Sequence, residues 1–226
     1  MALIDNLVAY YKLDGNSNDS VGSNNGTDTS ITYSAGNGKI GQGAGFNGSS
    51  RISLPSGAYI SATAFSLSAW IKISSNPASA AQVLTSDSDA NRRWQFGVNP
   101  EGTIRFIRFN DANSVISNFN STGTVTNNTW HHIVAVFDNS VGSKIYINGT
   151  QDGSDAVTTS NKITSGTVAF GSQTNTTPLE YFTGSIDEGA IYSRALSALE
   201  VTSLYNGGAG LTYPFVSNQA NFLAFF

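Results

Sequence analysis

The sequence predicts an all-β protein, an antiparallel β-sandwich or jelly roll with one short helix near the C-terminus. Three observations carry this. Turn formers are abundant, with 23 glycines in 226 residues, while 13 phenylalanines and 9 tyrosines supply the bulky side chains that pleated sheets bury. Apolar stretches of strand length recur between clusters of Gly, Asn and Ser, and no helix-length segments alternate with them. Phe65–Ser74 (FSLSAWIKIS) alternates with period two, placing Phe65, Leu67, Ala69, Ile71 and Ile73 on one face and Ser66, Ser68, Trp70, Lys72 and Ser74 on the other.

The elements follow in order. Val8–Leu13 (VAYYKL) reads as a first strand, and Asp14–Ser30 is a long polar loop of the kind that is functional or disordered. Gly41–Pro55 is a Gly-rich turn leading into a short strand. Gln82–Asp111 holds three strands, two of them joined by the turn signal Asn99–Gly102 (NPEG). Trp130–Asp138 and Ser143–Gly149 flank a turn at NSVG, and Asn148-Gly149 marks a type I′ turn. Gly166–Gln173 and Phe182–Ser193 supply later strands, about 12–14 being expected from this spacing of turn signals. In SALEVTSLYNGG, Ser197 with Glu200 forms a capping-box pattern, so a helix is expected over Leu196–Tyr205, with Leu196, Leu199 and Leu204 as its packing stripe and Gly207 or Gly208 as its stop. The domain spans 1–213, and residues 214–226 form an apolar tail ending NFLAFF.

Composition excludes several functions. The net charge is −4 and Lys and Arg form no run, so nucleic acid is not an expected partner. There is no cysteine, hence no disulfide framework, thiolate nucleophile or cysteine zinc site. The first residues lack a basic segment followed by an apolar one, so no signal peptide is seen. No apolar run reaches the ~18–20 residues of a membrane span.

Taken in order, YYKLDGNSNDSVGSNNGT, GKIGQGAGFNGSSRISLP, FSLSAWIKI, TWHHIVAVFDNSVGSKIYINGTQDG and FTGSIDEGAIYSRALSALEVTSLYNGG resemble the laminin-G-like jelly roll of the concanavalin A-like lectin/glucanase superfamily, over roughly residues 7–208. The resemblance implies two antiparallel sheets, one convex and one concave. It says less about function, because the same fold carries lectins, glucanases, lyases and structural modules.

Asp187 and Glu188 decide between those classes. Jelly-roll glucanases set several acids on one strand at alternate positions, but here the positions around Asp187 hold Ser185, Gly189 and Ala190. Adjacent residues of a regular strand point to opposite faces, so Asp187 and Glu188 are not expected to form a retaining pair ~5 Å apart. Glu188 is read as a surface residue. The chain is therefore expected not to be an enzyme; a glycosidase or lyase is the weaker reading.

The resemblance implies a structural calcium ion between Asp187 and the first polar loop, with Asp19 and the carbonyl groups near Asn24, Asn25 and Gly26 completing its oxygen shell. The alternative left open is that Asp19 organises a turn and Asp187 makes a buried hydrogen bond. His131 and His132 are read as structural strand residues. For glycan binding, Trp70 on its polar face and the cluster Arg92, Arg93 and Trp94 are the candidates, with Phe109, Tyr181, Arg105 and Arg108 as possible neighbours and Trp130 assigned to the core. An acidic glycan would suit the arginines.

The function expected is a non-catalytic binding module for glycan recognition or attachment, extracellular or virion-associated. The alternative is a virion protein, a head decoration or tail appendage, that binds a protein receptor. The tail residues Phe222, Leu223, Phe225 and Phe226 are expected to dock on a neighbouring subunit or larger assembly.

Overall fold

The computed structural model describes residues 1–57, 59–88, 91–163, 165–175 and 179–215. The apolar residues expected to anchor the tail, Phe222 to Phe226, lie outside them.

Among the described residues the chain forms fifteen strands and one α-helix. In order these are β1 (Leu7–Tyr11), β2 (Thr27–Thr29), β3 (Thr32–Ser34), β4 (Gly43–Asn47), β5 (Arg51–Gly57), β6 (Ala64–Ile73), β7 (Ala81–Ser88), β8 (Asn91–Val98), β9 (Thr103–Phe109), β10 (Val115–Thr124), β11 (His131–Asp138), β12 (Gly142–Ile147), β13 (Thr150–Asp155), β14 (Gly166–Phe170), β15 (Thr183–Tyr192) and α1 (Ala198–Tyr205).

They make two antiparallel sheets. One has eight strands in the order β13-β12-β11-β6-β15-β4-β3, with β1 pairing the second half of β15. The other has seven, in the order β10-β9-β8-β7-β14-β5-β2. The core between them follows the alternation of the strands: Phe65, Leu67, Ala69, Ile71 and Ile73 of β6 all lie inside, together with Trp94, Phe96, Ile104 and Phe106 of the opposite sheet. The turns hold as read. Asn148 and Gly149 both have positive φ, as a type I′ turn requires. Gly102 (φ 87°) closes the NPEG turn with a bond from its N–H to Asn99 O at 2.9 Å.

The outer face of the eight-stranded sheet is covered. Leu7, Tyr10, Val134, Val136, Tyr146, Ala190 and Tyr192 pack there under Leu196 and the helix residues Val201 and Leu204. The capping box is present, with Ser197 and Glu200 bonded reciprocally. Two details differ from the reading above. Leu199 is 81% exposed, and Val201 takes its place in the stripe because it stands one turn before Leu204's face of the helix. The helix ends on Asn206, which takes the left-handed conformation itself at φ 48° and ψ 50°. Beyond it, residues 209–215 continue over the same face, where Tyr213 and Phe215 lie 5.7 and 5.4 Å from the Tyr10 ring.

Candidate functional site

The acidic pair of β15 sits beneath this covering. A register shift falls between Asp187 and Ala190 in the pairing with β6, and Glu188 has φ 51°. A bulge adds one residue to a strand and so breaks its two-residue alternation. Ile186 and Ile191 keep to the core, whereas Asp187, Glu188 and Ala190 all face outward. The expectation that Asp187 and Glu188 point to opposite faces is thus corrected, as is the surface assignment of Glu188, which is 3% exposed. Tyr10 Oη donates to Glu188 Oε2, while Glu188 Oε1 has no partner. Burial pushes the Glu188 carboxyl up to about 8 and Asp187 up to about 7, and Asp187 is pulled back by its backbone N–H donors.

Those donors bear on the expected calcium site. Asp187 Oδ2 accepts from Lys39 N at 2.8 Å and Ile40 N at 2.9 Å, and Oδ1 accepts from Glu188 N at 3.0 Å. Asp19 accepts from Tyr10 N, Val21 N, Asn24 N and Asn24 Nδ2 at 3.0–3.2 Å. Asn25 turns its Oδ1 to Asp19 N, and Gly26 N bonds Ser17 O. Calcium needs six to eight oxygens facing one point, but both carboxylates face N–H groups on separate segments. The residues Asp19, Asn24, Asn25, Gly26 and Asp187 do not fit a shared ion in this arrangement, and among the described residues no group of three or more His, Asp or Glu is placed to hold a metal.

The aromatic candidates are occupied as well. Trp70 is 2% exposed, stacked on Tyr205 at 5.8 Å and flanked by His132, because the helix and the segment after it cover its face of β6. Trp94 is wholly buried in the core. Arg93 is also buried, and its guanidinium is spent on Ser86 Oγ, Gly57 O and Gly166 O. Arg108 is bound likewise to Ser143 Oγ, Val157 O and Thr159 O, and Phe109 is buried under Arg92. Trp130, assigned to the core, is only half-buried, with Lys72 Nζ 5.1 Å from its ring centre. His132 is buried, and its Nε2 pairs with Ser68 Oγ at 2.9 Å. Of the four proposed ligand-binding residues only Arg92 reaches the surface, its side chain 40% exposed and paired with Asp87 at 2.8 Å.

That pair belongs to a polar face that sequence reasoning did not single out. On the seven-stranded sheet, Phe96, Phe106 and Phe119 point to the core, so their neighbours Gln95, Gly97, Arg105, Ile107, Asn118 and Asn120 point away from it. Two cross-strand rows result: Gln82–Gly97–Arg105–Asn120 and Thr85–Gln95–Ile107–Asn118. A register shift between Gln82 and Leu84 is what brings both Gln82 and Thr85 to this face. In the first row Gly97 brings no side chain, and a Cβ there would meet Ala81 O at 2.1 Å, so β7 packs close over it.

Residues 171–175 run back along β7, and Glu180 returns beside Gln82. Gly171 N bonds Val83 O, Thr174 N bonds Asp87 O, and Gln82 N bonds Glu180 O. Glu180, at φ 54°, aims its carboxylate at Gln82 Nε2 and at Arg105 Nη2, the latter at 2.9 Å. A non-glycine residue in this conformation is strained and is commonest at functional positions. Asp87 in turn holds Gln95 Nε2 and Arg92 Nε. Beside Glu180 the buried atoms Gln82 Oε1 and Arg105 Nε have no partner, and neither do Thr174 Oγ1 and Asn175 Oδ1 in the segment that reaches Asp87. Buried polar groups are nearly always satisfied, so these are sites where an ordered water or another polar group completes the bonding. The available signal in the sequence was Gln95 and Arg105, polar residues set singly between aromatic and aliphatic ones; no pattern pointed to Glu180.

A family profile described as the concanavalin A-like lectin/glucanases superfamily matches residues 46–202, and the chain belongs to that family. A search of curated protein sequences found no match. Among solved structures, the chain is similar to domain 4 of a GH43 extracellular arabinanase from Geobacillus stearothermophilus, solved in complex with arabinotriose, at 26% identity and TM-score 0.70, covering 87% of this chain and 97% of that one. It shares the fold of the binding domain of Paraclostridial Mosquitocidal Protein 1 at 18% identity and TM-score 0.72, covering 90% of this chain and 52% of that one. It also shares the fold of the botulinum neurotoxin serotype D ligand binding domain in complex with N-acetylneuraminic acid, at 19% identity and TM-score 0.66, covering 90% and 51%. The chain thus spans about half of each toxin domain. No helix among the described residues is long and apolar enough to cross a membrane.

Proposed function

We propose that this chain is a non-catalytic carbohydrate-binding module that holds an extracellular glycan against the outer face of its seven-stranded sheet. The observation that carries the reading is the outer polar face of β8–β10, where Arg105 is partly exposed and Asn118 and Asn120 are exposed on the same side. Glycan sites are built from a few converging amide, hydroxyl and charged groups held on a rigid support, and strands β7–β9 are such a support. The exposed Asn118 and Asn120 extend both rows toward the edge strand, which suits a chain of sugars better than a single compact ligand. The likeness to an arabinanase domain solved with arabinotriose supports the same ligand class.

Binding without cleavage follows from how the acids are placed. A glycosidase needs one carboxyl free to give its proton to the leaving oxygen and a second one across the bond. Asp87 is committed to Arg92 and Gln95, and Glu180 to Arg105 and Gln82. Asp187 and Glu188 lie buried under the covering of the other sheet, out of reach of a polysaccharide.

A glycan array followed by calorimetric titration of the best hit tests this, using the full chain and its Asn120→Ala variant, at an exposed position of the face. The expected result is binding that weakens in the variant while the melting temperature is kept. Binding to no glycan, or equal binding by the variant, would remove the site; turnover of the bound glycan would make the protein an enzyme.

A further inference from the structure

We infer that the uncovered end of the eight-stranded sheet carries a second binding site, one for a sugar that bears a negative charge. The covering of this sheet is partial. Trp70 lies under Tyr205, but further along β6 Lys72 is half-buried and Ser74 is exposed. Ile71 and Ile73 point to the core, as do Ile186 and Phe46 on the neighbouring strands. Lys72, Ser185 and Gly45, which pair in one row, therefore face outward, and Thr32 of β3 completes the row. Thr183 and Asn47 pair beside it.

These residues line a cavity of about 340 Å³, a size within the range of small-ligand sites. Gly45 shapes it. A Cβ there would collide with Asn37 Nδ2 and Thr32 Oγ1, so the missing side chain is what lets these two close in over the sheet. Asn37 is held there by Ser185 Oγ, which donates to its Oδ1 at 3.2 Å.

The charge comes from Lys72. Its ammonium is fixed by a bond to Gly36 O at 2.9 Å and by the Trp130 ring, whose centre is 5.1 Å from Nζ. An ammonium has three N–H donors, so two remain. Among the described residues no carboxylate pairs with Lys72, and no aspartate or glutamate lines the cavity. Arg92 and Arg105 on the opposite sheet are, by contrast, already paired with Asp87 and Glu180. Asn47 Oδ1 accepts from Ser49 N and from the hydroxyls of Ser49 and Ser50, which leaves its amide nitrogen as a further donor. Exposed Asn128, Thr183 and Ser74 add an amide and two hydroxyls. A carboxylate or sulfate on a sugar accepts charge-assisted bonds from the ammonium, roughly twice as strong as neutral ones, while the ring hydroxyls answer the amides and hydroxyls around it. A neutral sugar would leave the ammonium without that partner.

The test is ligand-observed NMR titration of the full chain with methyl glucuronide and N-acetylneuraminic acid. Methyl glucoside serves as the neutral counterpart and inorganic sulfate as the bare anion. Each titration is repeated with Lys72→Met, which keeps an apolar stem beside Trp130, and with Asn120→Ala on the other sheet. An acidic sugar should bind at least about tenfold more tightly than methyl glucoside, weaken as salt rises, and lose about tenfold in Lys72→Met with the melting temperature kept. Asn120→Ala should leave this binding unchanged. Equal binding of methyl glucoside overturns the selection for charge, and sulfate binding as tightly as the sugars overturns the selection for a sugar. No binding, or binding kept in Lys72→Met, overturns the site. Acidic-sugar binding lost in Asn120→Ala and kept in Lys72→Met also overturns it and leaves the site on the seven-stranded sheet standing.

Discussion

The phenol of Tyr10 donates a hydrogen bond to the buried carboxylate of Glu188, tying the first strand to the bulge in the last. The bulge brings a second carboxylate, Asp187, to the same face, so the molecule carries two neighbouring acids away from water with few donors for one of them. Tyr10→Phe removes the donor and leaves that side of Glu188 unsatisfied. The expected loss is ~1–3 kcal/mol, read from urea denaturation. A variant as stable as the parent would mean that the bond contributes nothing.

The same pair sets a pH dependence. The Glu188 carboxyl is pushed up to about 8 and that of Asp187 to about 7, chiefly by burial. In the unfolded chain such groups titrate near ~4. Between those values the folded state binds more protons than the unfolded state, so stability falls as pH rises. The contribution is fully present below about pH 4, declines through neutrality and is gone above about pH 8. The urea midpoint should therefore drop between mildly acidic and mildly alkaline buffer, and Glu188→Gln should flatten the slope. A midpoint that climbs over this range would contradict the assignment.

Asp187 also holds the loop before β4 through Lys39 N and Ile40 N. Asp187→Ala frees both N–H groups in a part-buried setting, and a loss of roughly 2–4 kcal/mol is expected from two unmet donors. Because its carboxylate oxygens and those of Asp19 face donors, EDTA should leave the melting temperature of the parent unchanged. A fall with chelator that calcium reverses would place a metal in the first loop after all.

Trp70 serves the packing of the helix and not a ligand. Trp70→Phe should reduce stability by less than the ~3–5 kcal/mol of truncation to alanine, since a ring is kept against Tyr205. Glycan affinity of the folded variant should equal that of the parent. A selective loss of affinity would return Trp70 to the binding site.

Local chemistry made much of this protein legible in its sequence. Period-two alternation in Phe65–Ser74 assigned the inner face of β6, the Ser197 and Glu200 pair located the helix start, and Asn148-Gly149 marked its turn, because each depends on residues close together in the chain. What lies on the far side of a strand depends on what covers it. Trp70 belongs to a face that alternation marks as polar, yet the helix and residues 209–215 close over it. The orientation of Glu188 turned on a bulge, which no two-residue pattern foretells, and one extra residue sufficed to move it from the assumed opposite face to the side of Asp187. The polar outer face joins Gln82, Arg105 and Glu180, which stand 23 and 75 residues apart along the chain. Their convergence comes from sheet order and from residues 171–175 and Glu180 lying against β7. Sequence determined which residues could be inside a sandwich; only the tertiary structure decided which polar atoms were left without partners, because hydrogen bonding is satisfied between strands and loops that the linear order keeps apart.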